Sequence, residues 1–468
     1  MKEQTEKKGL DISVRSFLTA IIVIFILMIV TYGLTLAIPS GEYARVMDSS
    51  GNEIIDTQVG YQTVEGGIPF WKWLLSPILV LTAKGSGTMI AVILFLLVIG
   101  GAFNGLEKCG LMKYMLDVIV HKFGKSRYKM LAVIILFFMI MGSFIGSFEE
   151  CVPLVPLVVA LAVSLGWDSL VGMGMSLLAA GCGFAAGVCN PFTIGVAQKL
   201  AGLPMFSGLW LRAVSFVMIY ALLYFFIRTY AKKIEKPLEE TAVNQTFQKD
   251  VNLNKGLICF AGILGAGLVL VFSSSFITVI QDYTMIIVAL MFLIAGLLAS
   301  YLAGMKGKEL AATFGNGVLS VLPAVLMILM ASSIKYTMEE AKILDTILYA
   351  TVNVAEELPK WAVILFVYLV VLVMNFFIAS GSAKAILIIP LIVPIAQIFG
   401  ISSQLCVLAY AFGDGFSNVF YPTNPVLLIG LGLAKVNYGN WVKWTWKFQM
   451  INLVMTSAIL LFGLVIGY

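Results

Sequence analysis

Two carboxylates sit side by side in the run "MGSFIGSFEECVPLVPLVV" (141–159), as Glu149 and Glu150, among almost exclusively apolar residues. A carboxylate carried to membrane depth is expensive to bury and so marks a candidate functional site. Two other charges share that character: Lys384, which ends "SGSAK" (380–384), and Asp414 in "AFGDGFS" (411–417). If these three carboxylates and one ammonium face one cavity, their charges sum to −2, which favours a cationic ligand. Adjacent carboxylates repel, so one of the glutamates holds a proton unless a cation neutralises the pair. The pair therefore suits a proton carrier or a dock for a substrate ammonium or guanidinium. The blander reading is a pair solvated by cytoplasmic water. Lys384 could take a substrate carboxylate, pair structurally with Asp414, or act as a resident cation in place of a coupling ion. Strict sodium dependence of transport would remove that last reading.

A second feature recurs twice. The segments "GFAAGVCNPFTIGVAQ" (183–198) and "GFSNVFYPTNPVLLIG" (415–430) are each interrupted by Asn-Pro. Proline removes a backbone donor and disfavours helix at the residue before it. Helices broken in this way expose carbonyls and half-helix N-termini, which attract cations and carboxylates respectively. The alternative for either copy alone is an ordinary proline kink.

The elements that hold these groups must cross a membrane. Of the 468 residues, 60% are hydrophobic and 12% charged, about half the charge of a soluble domain. Runs such as 17–37 and 285–303 reach the roughly 20 apolar residues that span a bilayer. The first reads as a retained helix rather than a cleaved signal peptide. The net charge of +5 belongs to short basic segments, among them "HKFGKSRYK" (121–129) and "RTYAKKIEK" (228–236), and no nucleic-acid module accompanies it. The six cysteines and the single His121 show no metal-ligand spacing, and no cofactor is expected. Placing the basic segments and the N-terminus in the cytoplasm requires that the blocks 129–166 and 361–400 each enter and leave on one side. Both read as re-entrant hairpins, with polar tips at "GSFEE" (146–150) and "SGSAK". Irregular backbone at that depth survives only around protein or a water-filled cavity.

The two halves are related. A shift of 234 residues carries Pro156 onto Pro390, Gly166 onto Gly400 and Gly181 onto Gly415, and also Asn190-Pro191 onto Asn424-Pro425 and Trp210 onto Trp444. This spacing predicts inverted repeats, as in alternating-access carriers. Segment 1–69 holds the N-terminal tail, a first helix and an external loop without readable chemistry. Unit one is 70–228, with its hairpin at 129–166 and its broken helix at 170–202. A linker and two connecting helices fill 229–304. Unit two is 305–468, with its hairpin at 361–400 and its broken helix at 403–434. Amphipathic stretches at 107–125 and 337–357 read as interfacial helices. The fold class is an all-α polytopic membrane protein.

The stretches "YGLTLAIPSGEYAR", "GGAFNGLEKCGLMKYMLDVIV", "GSFEECVPLVPLVVALAVSLGWD" and "NPFTIGVAQKLAGLP" resemble the YfcC-like branch of the C4-dicarboxylate anaerobic carrier (DcuC-like) family of the ion transporter superfamily. The resemblance covers nearly the whole chain. It implies an elevator-type homodimer in which a scaffold domain carries a mobile transport domain. In the dicarboxylate branch both hairpin tips carry Ser-Asn-Thr. Here Ser147 and Ser382 keep the serine, while the Asn-Thr portion is missing, which puts dicarboxylate binding and sodium coupling in doubt. Asn190 and Asn424, with Thr423, match the broken-helix loops. The branch implies basic amino acid antiport, of the arginine/ornithine type, in the cell membrane.

The candidate substrate-binding set is thus Ser147, Glu149 and Glu150 at the first tip, and Ser380, Gly381, Ser382 and Lys384 at the second. The breaks add Cys189, Asn190, Asp414, Asn418, Thr423 and Asn424. The leading expectation is a secondary active transporter of small charged metabolites, with a sodium- or proton-coupled C4-dicarboxylate carrier as the alternative. A channel and an intramembrane aspartyl protease fit less well, the latter because no partner aspartate lies in a membrane segment.

Overall fold

The computed structural model describes residues 14–47, 53–55, 60–83, 86–123, 126–146, 148–204, 206–236, 250–274, 284–355 and 358–468. Among them, eight helices are long and apolar enough to cross a membrane, from Met89–Lys108 to Tyr438–Ile466, and three shorter apolar helices accompany them. The Leu209–Ile234 helix shows why lipid must be the solvent. Leu211, Ser215, Ile219, Leu223, Ile227 and Ala231 line its buried face. Trp210, Val214, Val217 and Phe225 on the opposite face are exposed and equally apolar. A soluble helix would carry charge there. The chain is an all-helical, multi-pass membrane protein apart from one small patch of strands.

Each block around a polar tip doubles back. The helix Arg127–Ile140 runs into a widened turn, Met141–Ile145, and stops at Gly146, whose φ of +78° is a conformation that favours glycine. After Ser147, which lies outside the described residues, a tight turn, Glu149–Leu154, leads into the helix Val155–Ser164. Arg127 Nη1 then donates to the Leu165 carbonyl (3.5 Å), and Tyr128 meets the Trp167 ring at 5.8 Å, so the segment starts and finishes together. The second block runs out along Lys360–Phe377 and back along Gly381–Ile398. Lys360 Nζ lies 3.6 Å from the place a Cβ on Gly400 would take.

The two bases lie at opposite ends of the Leu209–Ile234 helix. Near its C-terminal end, Lys236 N–H donates to Gly166 O (2.9 Å) and Arg127 pairs with Glu235 (3.0 Å). Near its start, Tyr468 Oη donates to Gly208 O, and Ser402 Oγ, two residues beyond the second hairpin's Gly400, donates to Tyr468 O. Its 26 residues separate these ends by about 39 Å.

The segments after each hairpin break and restart at Asn-Pro. Asn190 Oδ1 accepts from the N–H groups of Phe192 (2.9 Å) and Thr193 (3.3 Å). Asn424 Oδ1 accepts from those of Val426 (2.9 Å) and Leu427 (3.4 Å). Asparagine is a preferred N-cap, and proline at N1 gives up a donor that has no partner there anyway. The 234-residue shift maps one set of partners onto the other, 192 to 426 and 193 to 427. The two broken helices cross where Gly181 faces Val419 and Gly415 faces Ala185. Those two contacts also exchange under the shift. A Cβ on Gly415 would overlap the Ala185 backbone. Gly415→Val should therefore cost about 1–3 kcal/mol of stability, and an unchanged thermal melt in detergent would refute this close packing.

The loop 38–69 departs from the all-α expectation. Gly41–Tyr43 pairs antiparallel with Tyr61–Thr63, and Arg45–Met47 with Glu53–Ile55. At three residues each, these strands are too short for a period-two signal to stand out in the sequence. They dock on the Leu344–Ala355 helix through Arg45–Asp345 (2.8 Å) and stacked Tyr61 and Tyr349 rings (4.3 Å). The amphipathic stretches also resolve differently from one another. The first contains the helix Leu111–Phe123, whereas the second holds the end of Leu322–Glu340 and the whole of Leu344–Ala355.

Candidate functional site

Lys384 sits in the first turn of the second hairpin's return helix, fully buried. An ammonium has three protons and must spend all of them when dry. Here one goes to Asp414 Oδ1 (2.5 Å), one to the Ile378 carbonyl (3.2 Å) and one to Asn375 Oδ1. The hairpin is thereby tied to the broken helix Ser403–Asn418. Asn375 is the hub of this knot. Its amide faces the Asp414 carbonyl, Ser417 Oγ (2.7 Å) and Asn418 Oδ1 (2.9 Å), and Asn418 Oδ1 also accepts from Asn424 Nδ2 (2.9 Å). No proton of Lys384 is left for a ligand in this conformation.

Other buried groups remain unpartnered. Asn190 Nδ2, Thr193 Oγ1, Asp414 Oδ2, Thr423 Oγ1 and Glu150 Oε2 have no hydrogen-bond partner among the described residues. Asn190, Thr193 and Asp414 are 0% exposed. Most buried polar atoms in proteins are satisfied, so such orphans need an explanation. Two of them converge on the second tip: a Cβ on Gly381 would lie 2.6 Å from Asp414 Oδ2 and 2.9 Å from Thr193 Cγ2. A third meets the first tip, since a Cβ on Gly146 would overlap Asn190 Oδ1. Each tip glycine lets a hairpin close on a break.

Glu149 and Glu150 are half-buried at the start of their turn. Neither forms an ion pair among the described residues. Glu149 lines a pocket with Phe95, Leu96 and Ile99 of the Ser86–Lys108 helix, and with Val152, Val426 and Ile429. The last two lie on Pro425–Leu433, the half-helix that Asn424 caps. The first tip thus faces the second break across a small apolar pocket, with Glu149 among its lining residues.

Of the sequence candidates, Asp414, Lys384, Asn418 and Asn424 join one hydrogen-bonded network, and Gly381 packs directly on it. Asn190 and Thr423 contribute buried unpartnered atoms. Ser380 is exposed and Ser382 half-buried at the second tip, and Cys189 is half-buried in the first break. Sequence reasoning missed Asn375, Thr193 and Ser143. Ser143 ties the first hairpin to its break: Oγ accepts from Val188 N–H (3.0 Å) and the carbonyl from Cys189 N–H (3.1 Å). Asn375, a lone amide in "VVLVMNFF", carried a signal, because a polar residue in such a run needs a partner. Among the described residues, no three His, Cys, Asp or Glu side chains gather to hold a metal.

Comparison with known proteins adds family evidence. The model of the C4-dicarboxylate anaerobic carrier family matches residues 17–465. YfcC of Escherichia coli (strain K12), provisionally named a basic amino acid antiporter, is 30% identical over 404 residues, covering 82% of this chain and 79% of its own. An uncharacterised protein of Haemophilus influenzae is 25% identical over 391 residues, covering 81% and 76%. Among solved structures, the YdaH transporter of Alcanivorax borkumensis aligns over 97% of this chain and 99% of its own, at 16% identity and a TM-score of 0.44. MtrF of Neisseria gonorrhoeae covers 95% of each chain at 16% identity and a TM-score of 0.46.

Proposed function

The chain belongs to the C4-dicarboxylate anaerobic carrier family and is a secondary transporter rather than an enzyme; on that premise we propose that it exchanges cationic amino acids across the cell membrane. The observation that carries this reading is a half-buried glutamate pair at the first tip without a basic partner among the described residues, beside a second tip whose own cation is fully engaged. The net deficit of positive charge then falls to the substrate. The substrate carboxylate has a place at the start of Gly381–Ile398, where Ser380 makes no side-chain cap and the backbone N–H groups favour anions. The name of the E. coli relative agrees with this assignment.

Hairpin bases at opposite ends of one spanning helix, and break contacts that exchange under the 234-residue shift, support inverted repeats around a central site. In this reading the hairpins are re-entrant, the N-terminus is cytoplasmic, and the protein works as a homodimer with an elevator-like transport domain. Lys384 serves as a resident cation, so exchange proceeds without sodium.

The test is counterflow in proteoliposomes loaded with unlabelled arginine, with labelled arginine or succinate outside and sodium absent. Accumulation of arginine alone is the expected result. Uptake of succinate instead, or uptake of either only after sodium is added, would move the protein to the dicarboxylate reading that the family's description suggests.

A further inference from the structure

The same shift that relates the two breaks also pairs the two tips, and it sets Glu150 opposite Lys384. The partners of Lys384 have counterparts as well: Ala180 stands at the position of Asp414, and Met141 at that of Asn375. In unit two the slot holds a primary ammonium ringed by a carboxylate, an amide oxygen and a carbonyl, all from the protein. Unit one presents the reverse. The tip itself supplies the carboxylate, the positions that would have solvated an ammonium are apolar, and Glu150 Oε2 is buried without a partner among the described residues. An independent orphan, Asn190 Nδ2, belongs to a fully buried side chain on the break that the first tip touches.

We propose that the slot at Glu150 receives the side-chain ammonium of the transported molecule, as a mobile counterpart of the resident Lys384 ammonium, and that it selects primary alkylammonium over guanidinium. This deepens the cationic amino acid reading and rests on it. The methylene stem runs toward the apolar residues beside Glu149, namely Phe95, Leu96, Ile99, Val426 and Ile429, whose small pocket must widen to take it. The selectivity follows from donor counting. An ammonium carries three N–H donors, which two neighbouring carboxylates can meet. A guanidinium carries five in a rigid fork, and a pocket walled by Phe, Leu, Ile and Val leaves part of that fork unsatisfied.

The experiment is ligand-dependent thermal stabilisation of the full-length protein in nanodiscs, with ornithine, lysine, arginine, 1,4-diaminobutane and succinate as probes. Ornithine and lysine are expected to half-saturate the shift at concentrations at least about tenfold below arginine, and 1,4-diaminobutane is expected to shift the melt weakly. Glu150→Gln, purified as a monodisperse protein, is expected to lose the ornithine shift. Arginine binding as tightly as ornithine would overturn the ammonium slot and leave a cationic transporter standing. An unchanged ornithine shift in Glu150→Gln would overturn the slot as well. Stabilisation by succinate with no response to any amine would overturn both the slot and the underlying reading.

Discussion

Counterflow of ornithine is expected to fall on the order of a hundredfold in Glu150→Gln, because truncating the charge opposite a desolvated ligand ammonium costs about 3 kcal/mol. Glutamine keeps the shape and removes the charge, so local packing at the tip is preserved. Neither glutamate forms an ion pair among the described residues, and yield and melting temperature should therefore stay near wild type. Glu149→Gln is expected to act in the same direction but more weakly, since Glu149 lines the stem pocket rather than the slot equivalent to Lys384. Wild-type exchange in both single variants would reject a substrate-facing first tip and return the pair to the status of hydrated bystanders.

Lys384 is expected to behave in the opposite way, as a stability residue first. Lys384→Ala leaves Asp414 buried at 0% exposure with no cation beside it. Removing one member of a buried pair costs about 3–5 kcal/mol, which for a membrane protein should appear as a large drop in melting temperature and in monodisperse yield. Asp414→Ala should cost a similar amount by stranding the ammonium. The double variant Lys384→Met with Asp414→Leu is expected to recover most of that loss, because two apolar side chains of similar volume remove both desolvation penalties. If the single variants melt like wild type, the pair is not the clamp its geometry describes. Transport by the double variant reads the second role. A resident cation that replaces a coupling ion cannot be deleted without changing transport, so full sodium-free exchange in the double variant would leave Lys384 purely structural.

The sequence alone determined the features that are local or repeated. Two Asn-Pro breaks announce themselves because proline blocks helix at its predecessor wherever it sits, and asparagine caps the restart with its own side chain. The 234-residue offset was legible because one gapless shift brings tryptophan, proline and glycine residues and both Asn-Pro pairs into register. Charges in apolar runs singled out Glu149, Glu150, Lys384 and Asp414, since burial makes each of them costly.

Only the tertiary structure decided who meets whom. That Lys384 is consumed by Asn375, Ile378 and Asp414, while Glu150 keeps a buried oxygen unpartnered among the described residues, depends on how closely hairpins and breaks pack, with Gly381 against Asp414 and Gly146 against Asn190. Hydrophobic periodicity could not supply those contacts. In lipid the outward face of a helix is as apolar as the inward one, as on Leu209–Ile234, so the pattern that orients a soluble helix is nearly silent here. Thr193 and Ser143 were invisible for a related reason. A hydroxyl in a membrane helix ordinarily bonds its own preceding turn, and packing alone shows that one is left unpartnered and the other bridges to Val188.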